Sequence, residues 1–294
     1  MEGNITKIES IIDFISKVFE YSELTKEERD RDPLREKEVL YRGHCNKEYE
    51  LVPSLGRSPN KTNDFYHKER DIIENIQTKL PEYFNISNPL NLLAKMQHYG
   101  LPTRLLDVTA NPLVALYFAC IGTEKEDNID GCVYVFSANC VHTPFETVIQ
   151  AVASSYCIFQ GNRISIAEYA DIAYKSLGLV EDKETFMIRF RNTIKKGYVF
   201  VNAMESVQRQ KNQQGKYILF TNEIDGRQGD CFHNRIKKIE ENDALIRAKL
   251  LIPHKKKKII LEQLKTLGIS KETLFADSVD IICSELKRDI GNRL

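Results

Sequence analysis

Apolar residues recur at steps of three and four from Ile5 to Val18, at Ile5, Ile8, Ile11, Ile12, Ile15 and Val18, the spacing of one face of an amphipathic helix. The pattern then breaks. Residues Tyr21 to Glu38 are dense in charge and carry Pro33, so they read as a solvated connector with some helical character. Val39-Leu40-Tyr41-Arg42-Gly43 has strand chemistry that ends in a glycine, and Leu51 to Leu55 is held extended by Pro53. Asp64 to Lys79 sets Phe65, Ile72, Ile73 and Ile76 on one side of a helix that Pro81 stops. A second helix runs from Pro89 to Tyr99, with Gly100 as its C-terminal cap. Thr103 to Val108 is extended again, Asn111-Pro112 opens an apolar helix through Cys120, and Gly131 to Phe136 is a buried strand.

From Phe145 to Lys195 the pattern is helical and polar in patches, as in an insertion or lid. Strands are expected at Val199-Phe200-Val201, Tyr217 to Phe220 and Ala244 to Ile252, the last closed by Pro253, and helices at Lys256 to Leu267 and Ser278 to Lys287. No internal repeat, low-complexity tract or linker divides the chain. The expected fold is therefore α+β in one elaborated domain, residues 39–294, with 145–197 as a helical insertion and 1–38 as an N-terminal helix and connector.

Composition narrows the function. The 294 residues are 42% hydrophobic, enough for a sizeable core without covalent staples. Lys plus Arg and Asp plus Glu are 42 each, so no global field draws the chain to nucleic acid or to an anionic membrane, and such binding must be local. The seven cysteines are scattered, odd in number and without a C-x-x-C pair, which argues for free thiols in a reducing compartment and against a zinc site. Residues Met1 to Ile11 are polar and no apolar run reaches membrane-spanning length, so the expectation is a cytoplasmic protein with no membrane partner and no metal.

Three segments can carry chemistry. In Tyr41-Arg42-Gly43-His44 an arginine leaves a strand beside a residue without a side chain, which equips it to grip a phosphate or carboxylate. Pairing with Glu36 or Glu38 is the plainer alternative. In Gln97-His98-Tyr99-Gly100-Leu101-Pro102-Thr103-Arg104-Leu105-Leu106-Asp107-Val108-Thr109, the polar groups of His98, Arg104, Asp107 and Thr109 are embedded in apolar sequence, so several must be buried and partnered. They can form a network with Arg42. Equally, Asp107 can cap the next helix or hold Arg104 in a structural ion pair, and His98 can be a satisfied core histidine. The third segment, Arg209 to Lys216 with Gln213 and Gln214, offers carboxamides that donate and accept at once, or is an exposed polar turn. Lys255 to Lys258 read as the solvated first turn of a helix.

Together these segments resemble the FRG domain, through its aromatic-Arg-Gly motif at Tyr41-Arg42-Gly43, the Gln97 to Cys120 stretch, the Asn212-Gln213-Gln214-Gly215 block, and a C-terminal end at Leu251-Ile252-Pro253 and Leu264 to Phe275. The likeness runs from about Val39 to Leu286. A remoter similarity is to ADP-ribosyltransferases of the Arg-Ser-Glu type. There Tyr41-Arg42-Gly43 corresponds to the first-strand arginine, Asp107-Val108-Thr109 to the Ser-Thr-Ser strand before its helix, and Gln213-Gln214-Gly215 to the glutamate block. Asp107 and Thr109 stand in place of the outer serines, and glutamine in place of glutamate.

This resemblance implies a split β-sheet core decorated by helices and a transferase that takes NAD as substrate and moves ADP-ribose to a macromolecule. Arg42 would hold the pyrophosphate, with Tyr41, Gly43, His44, His98 and Arg104 around the cofactor. Thr109 would support the nicotinamide ribose, and Gln213 or Gln214 would orient a ribose hydroxyl or the acceptor. Glutamine cannot supply a negative charge or act as a base. Asp107 is the nearest acid, with Glu205 behind it, and Tyr49, Tyr99 or Tyr117 could stack on a ring. RNA or DNA as acceptor is suggested by Arg163, Arg189, Arg191, Lys195 and Lys196 with Phe190 and Tyr198 interleaved. The setting would be a toxin or anti-phage effector, with an antitoxin protein as the partner that such a setting implies. The competing reading is a non-catalytic module that senses a nucleotide or a partner in the same pocket. A nuclease is disfavoured by the lack of acids at metal-ligand spacing.

Overall fold

The computed structural model describes residues 5–31, 37–57, 68–157, 164–204, 208–225, 231–232 and 235–275. Its strands are β1 (Ile5–Lys7), β2 (Glu38–His44), β3 (Leu105–Thr109), β4 (Gly131–Ala138), β5 (Val141–His142), β6 (Tyr198–Val201), β7 (Gly215–Phe220), β8 (Ile224–Asp225), β9 (Cys231–Phe232) and β10 (Ile246–Ile252). Eight of them form one mixed sheet in the order β1-β10-β4-β2-β3-β7-β6-β5, while β8 and β9 make a separate small ribbon. The helices are α1 (Ile11–Arg31), α2 (Glu69–Lys79), α3 (Pro81–Phe84), α4 (Pro89–His98), α5 (Pro112–Cys120), α6 (Thr147–Ala153), α7 (Ile166–Ser176), α8 (Lys183–Lys196), α9 (Gln208–Asn212), α10 (His254–Thr266) and α11 (Lys271–Leu274).

The register divides the sheet in two. β2 pairs with β4 along its whole length, from Glu38↔Ala138 to His44↔Cys132, and β3 pairs with β7 from Leu105↔Leu219 to Thr109↔Gly215. Between β2 and β3, by contrast, the one register pair is Tyr41↔Thr109. The cores explain this split. Because side chains alternate across a strand, each half presents one apolar row to helices. Tyr41, Val133, Val135 and Leu250 pack with Phe14, Ala115, Ala119 and Ile260 of α1, α5 and α10, whereas Leu105, Leu219 and Val201 pack with Leu93, Ile149, Phe186 and Phe190 of α4, α6 and α8. On the opposite face a single core spans both halves, joining Leu40, Tyr134 and Phe136 to Leu106, Val108 and Ile218 under Leu51, Leu55, Ile236 and Ile239. The sheet is thus fused on one face and open between two helical clusters on the other.

Local chemistry accounts for the helices that border this opening. In α4 and α5 an asparagine caps a helix that begins with proline: Asn88 accepts from the Asn91 amide at 3.1 Å, and Asn111 from the Leu113 amide at 3.0 Å. Helix α4 ends at His98 with Tyr99 as its C-cap, and Gly100 follows with a φ of +78° that suits a residue without Cβ.

Several expectations need correction. Ile5 to Lys7 are a strand, not the first turn of a helix, because the open edge of β10 pairs with them in parallel. The charged stretch after Val18 continues α1 to Arg31. Its Glu and Lys residues favour helix, Tyr21 and Thr25 are buried one turn apart, and Glu28 holds Arg247. Helix α2 ends at Lys79, before Pro81 as expected, and what was not expected is that Pro81 opens the further short helix α3. The 145–197 region is helical as expected, and it carries core residues such as Ile149, Phe186 and Phe190. Lys257 departs from the solvated lysine run: it is buried and donates to the Cys45 carbonyl at 2.6 Å. The expected helix at Ser278 to Lys287, Glu205 and Arg163 lie outside the described residues. Among the described residues no helix is long and apolar enough to cross a membrane, and no group of His, Cys, Asp and Glu side chains is placed to hold a metal ion.

Candidate functional site

Arg42 stands where β2 and β3 part. Continuing the register past Tyr41↔Thr109 would set Gly43 against Asp107, but the strands have separated there, and instead Arg42 Nη1 donates to the Asp107 carbonyl. Arg42 Nε donates to His44 Nε2 at 2.8 Å, and the His44 Nδ1 edge meets the Tyr49 carbonyl at 3.2 Å. This fixes the tautomer: Nδ1 carries the proton and Nε2 accepts. Burial and then the Arg42 and Arg57 charges push His44 well below its ordinary range, so it orients the guanidinium as a neutral acceptor without neutralising it. Burial lowers Arg42 to about 10, against the upward pull of Asp107, and it stays cationic at neutral pH. Among the described residues its Nη2 group has no hydrogen-bond partner and is left for whatever enters the opening. Glu38, the plainer partner considered for Arg42, is bound to Lys216 at 2.6 Å instead.

Gly43 serves a different purpose. A Cβ there would come within 1.9 Å of the Ala115 carbonyl oxygen and 2.7 Å of the Ala119 amide, so the glycine lets α5 lie directly on β2. The arginine and the glycine of the motif therefore do separate jobs, one facing the opening and one seating its helical wall.

Asp107 has a largely exposed carboxylate with its Oδ2 at 4.0 Å from Arg42 Nη1. Gln97 Nε2 donates to the same oxygen at 2.9 Å, and the Thr103 hydroxyl in turn donates to the Gln97 side-chain oxygen Oε1. The Thr109 hydroxyl donates to the Gln213 carbonyl at 2.6 Å and accepts from the Asn111 amide at 2.9 Å. Threonine thus pins the glutamine turn to the end of β3. Gln213 Nε2 donates to the Leu274 carbonyl at 3.2 Å, leaving its oxygen as the open end of the amide. Gln214, at a positive φ of 46°, gives its carbonyl to the Ala110 amide at 3.1 Å.

These groups surround one cavity of about 240 Å³, lined by Tyr41, Arg42, Gly43, Gln97, His98, Asp107, Val108, Thr109, Val114, Ala115, Phe118, Gln210, Gln213, Gly215 and Tyr217. Seven of the expected site residues are in that lining: Tyr41, Arg42, Gly43, His98, Asp107, Thr109 and Gln213. His44 stands behind Arg42, and Gln214 serves the turn. Arg104 belongs elsewhere. It is 1% exposed and grips Glu69 with two nitrogens, Nε at 2.8 Å, while Nη1 reaches the Phe220 carbonyl at 3.2 Å and Asn222 at 3.1 Å. The plainer reading, a structural ion pair, holds for Arg104 with Glu69 rather than Asp107 as the acid.

Of the aromatics considered, Tyr41 lines the cavity, whereas the three tyrosines offered for ring stacking do not. Tyr117 is buried, Tyr49 binds Glu126, Tyr99 packs edge-on against His98 and Phe84, and none lines the cavity. Tyr217 and Phe118 do, and Gln97 and Gln210 were missed with them. Alternation offers a signal for Tyr217, because it stands opposite Asp107 in the β3–β7 register. In the basic bunching on α8, Phe190 is fully buried in the core and cannot stack on a base, and Arg189 pairs with Glu181 at 3.0 Å.

Fold and site together define an α+β protein with a cation-bearing, aromatic-lined cleft at the join of a divided sheet. Residues 37–128 match the family model of the FRG domain. The matched segment holds Arg42, Asp107 and α5, while the Gln213 turn lies beyond it. No curated protein and no solved structure matches the chain.

Proposed function

We propose that the cleft binds NAD and transfers its ADP-ribose to a macromolecule, as a toxin or anti-phage effector would. The observation that supports this is convergence: Arg42, the Asp107-Val108-Thr109 strand with its following helix, and the Gln213 turn come from distant parts of the chain and meet in one cavity, in the order of the Arg-Ser-Glu transferases. In this reaction the bond from ribose C1′ to the nicotinamide nitrogen breaks, a bond from C1′ to an acceptor nucleophile forms, and the acceptor's proton leaves to a base or to water. Arg42 Nη2 is the donor for the pyrophosphate. Asp107, the acid among the lining residues, supplies the negative charge that an oxocarbenium-like ribose needs and that glutamine lacks. Thr109 acts by holding Gln213, whose free amide oxygen faces a ribose hydroxyl.

The test is incubation of the purified protein with labelled NAD and RNA, DNA or cell protein. Wild type should transfer label, and Arg42→Ala and Asp107→Asn should each lower the rate by on the order of a hundredfold. A second reading, a nucleotide-sensing module of a defence system, is favoured by one feature: the turn before β7 carries glutamines in place of a glutamate, and the Gln213 amide is already tied to the Leu274 carbonyl. If no NAD is consumed while a nucleotide still raises the melting temperature in an Arg42-dependent way, sensing replaces transfer.

A further inference from the structure

Beside Gly215 the cleft holds a polar group with nothing to bind among the described residues. Gln210, on α9, is 6% exposed and lines the cavity, and its amide nitrogen is buried with no hydrogen-bond partner among the described residues. Buried amide donors are nearly always paired, and an unpaired one costs about 1–3 kcal/mol. A position that tolerates such a group is a candidate for a partner that arrives from outside.

Its surroundings restrict that partner. Thr109 is paired with Tyr41 on one side and with Gly215 on the other, so these three residues form a row across β2, β3 and β7. Gly215 has no side chain, and a Cβ there would sit 3.5 Å from Gln210 Cγ, so the glutamine lies over the gap. Val114, Ala115 and Phe118 of α5, with Tyr41 and Tyr217, supply apolar and aromatic walls. An apolar slot with one carboxamide suits a flat ring bearing a polar group that both donates and accepts.

We propose that Gln210 recognises the carboxamide of a nicotinamide ring by paired amide-to-amide hydrogen bonds, with the ring held in this slot. The proposal rests on the NAD reading of the cleft and adds which end of the molecule lies where: nicotinamide over Gly215, pyrophosphate at Arg42.

The experiment measures binding of nicotinamide, nicotinic acid and ADP-ribose, each alone, to wild type and to Gln210→Leu by ligand-observed NMR and calorimetry, with melting temperatures of both ligand-free proteins. Expected are a preference of wild type for nicotinamide over nicotinic acid and about a tenfold loss of nicotinamide affinity in Gln210→Leu. ADP-ribose affinity should be unchanged, and the melting temperature of the variant should be equal or higher, because an unsatisfied buried amide has been removed. A merely structural Gln210 would lower the melting temperature instead. The proposal is overturned, with the NAD reading intact, if ADP-ribose binds but nicotinamide affinity is the same in both proteins, or if the variant loses both ligands equally. If wild type binds none of the three, the NAD reading falls and takes this inference with it.

Discussion

Arg42 and Arg104 are both deeply set in extended segments beside glycine or leucine, yet their surroundings oppose each other. Arg104 is saturated: a carboxylate, an amide and a carbonyl use its fork, and the acid is itself buried. Arg42 has a neutral histidine and a main-chain carbonyl for partners, and its nearest acid is 4.0 Å away with most of its carboxylate exposed. A buried cation that is oriented but not neutralised keeps its field for an incoming anion, whereas one matched to a carboxylate is finished as a structural element. The comparison separates a candidate binding group from a structural one inside one residue type.

Breaking the saturated site should have the largest effect. Glu69→Leu leaves the Arg104 charge uncompensated, and about 3–5 kcal/mol of stability should be lost by urea unfolding. An unchanged midpoint would mean that the pair is not what holds α2 to the sheet. Next comes Gly43→Ala, whose methyl meets a backbone oxygen at 1.9 Å. It should cost about 1–3 kcal/mol and displace α5 from β2, visible as weaker ligand binding together with a lower melting temperature.

His44 should give a smaller, pH-dependent effect. Its folded-state pKa is depressed well below 6.5, so below that pH the unfolded chain takes up a proton that the folded protein refuses. Stability contributed by neutral His44 is then present above about pH 6.5 and is lost as pH falls, by at most about 1.4 kcal/mol per pH unit. His44→Asn should flatten that slope between pH 6.5 and 5. Glu28 and Glu126, each lowered to about 2 by hydrogen bonds, from Arg247 to Glu28 and from the Thr123 backbone to Glu126, lose their contributions only in a more acidic window. The smallest stability change belongs to Arg42→Ala, about 1 kcal/mol for the hydrogen bonds removed, although it should abolish any protection by NAD or ADP-ribose. Were it to destabilise the protein as much as Glu69→Leu, the contrast between the two arginines would collapse.

Much of the frame was legible in the sequence because it rests on local chemistry. Asn-Pro openings, Gly100 and the strands around Tyr41, Asp107, Val133 and Tyr217 need only neighbours along the chain. The three candidate segments could be singled out for the same reason. What could not be read depends on partners far away. Glu69, which decides the fate of Arg104, is 35 positions earlier, and nothing near Arg104 announces it. The aromatic lining escaped because it depends on which strand face meets the opening, and that follows from the divergence of β2 and β3 rather than from periodicity. Gln210 looked like any polar turn residue until burial removed its solvent. The strand at Ile5 was masked by a helical spacing that its pairing with β10 overrode.

The pair Tyr41↔Thr109 also bears on how the molecule loses its structure. With one main-chain rung described between the half-sheets on the cleft side, their mutual grip there depends on side chains and on whatever lies between them. A ligand bridging Arg42 to Gln213 and Gln210 would act as a removable rivet, and by mass action its binding would add to the free energy of unfolding. Amide hydrogen exchange in β3 would then slow on occupancy more than exchange in β4, so that an occupied site is recorded in the rigidity of the strand beside it.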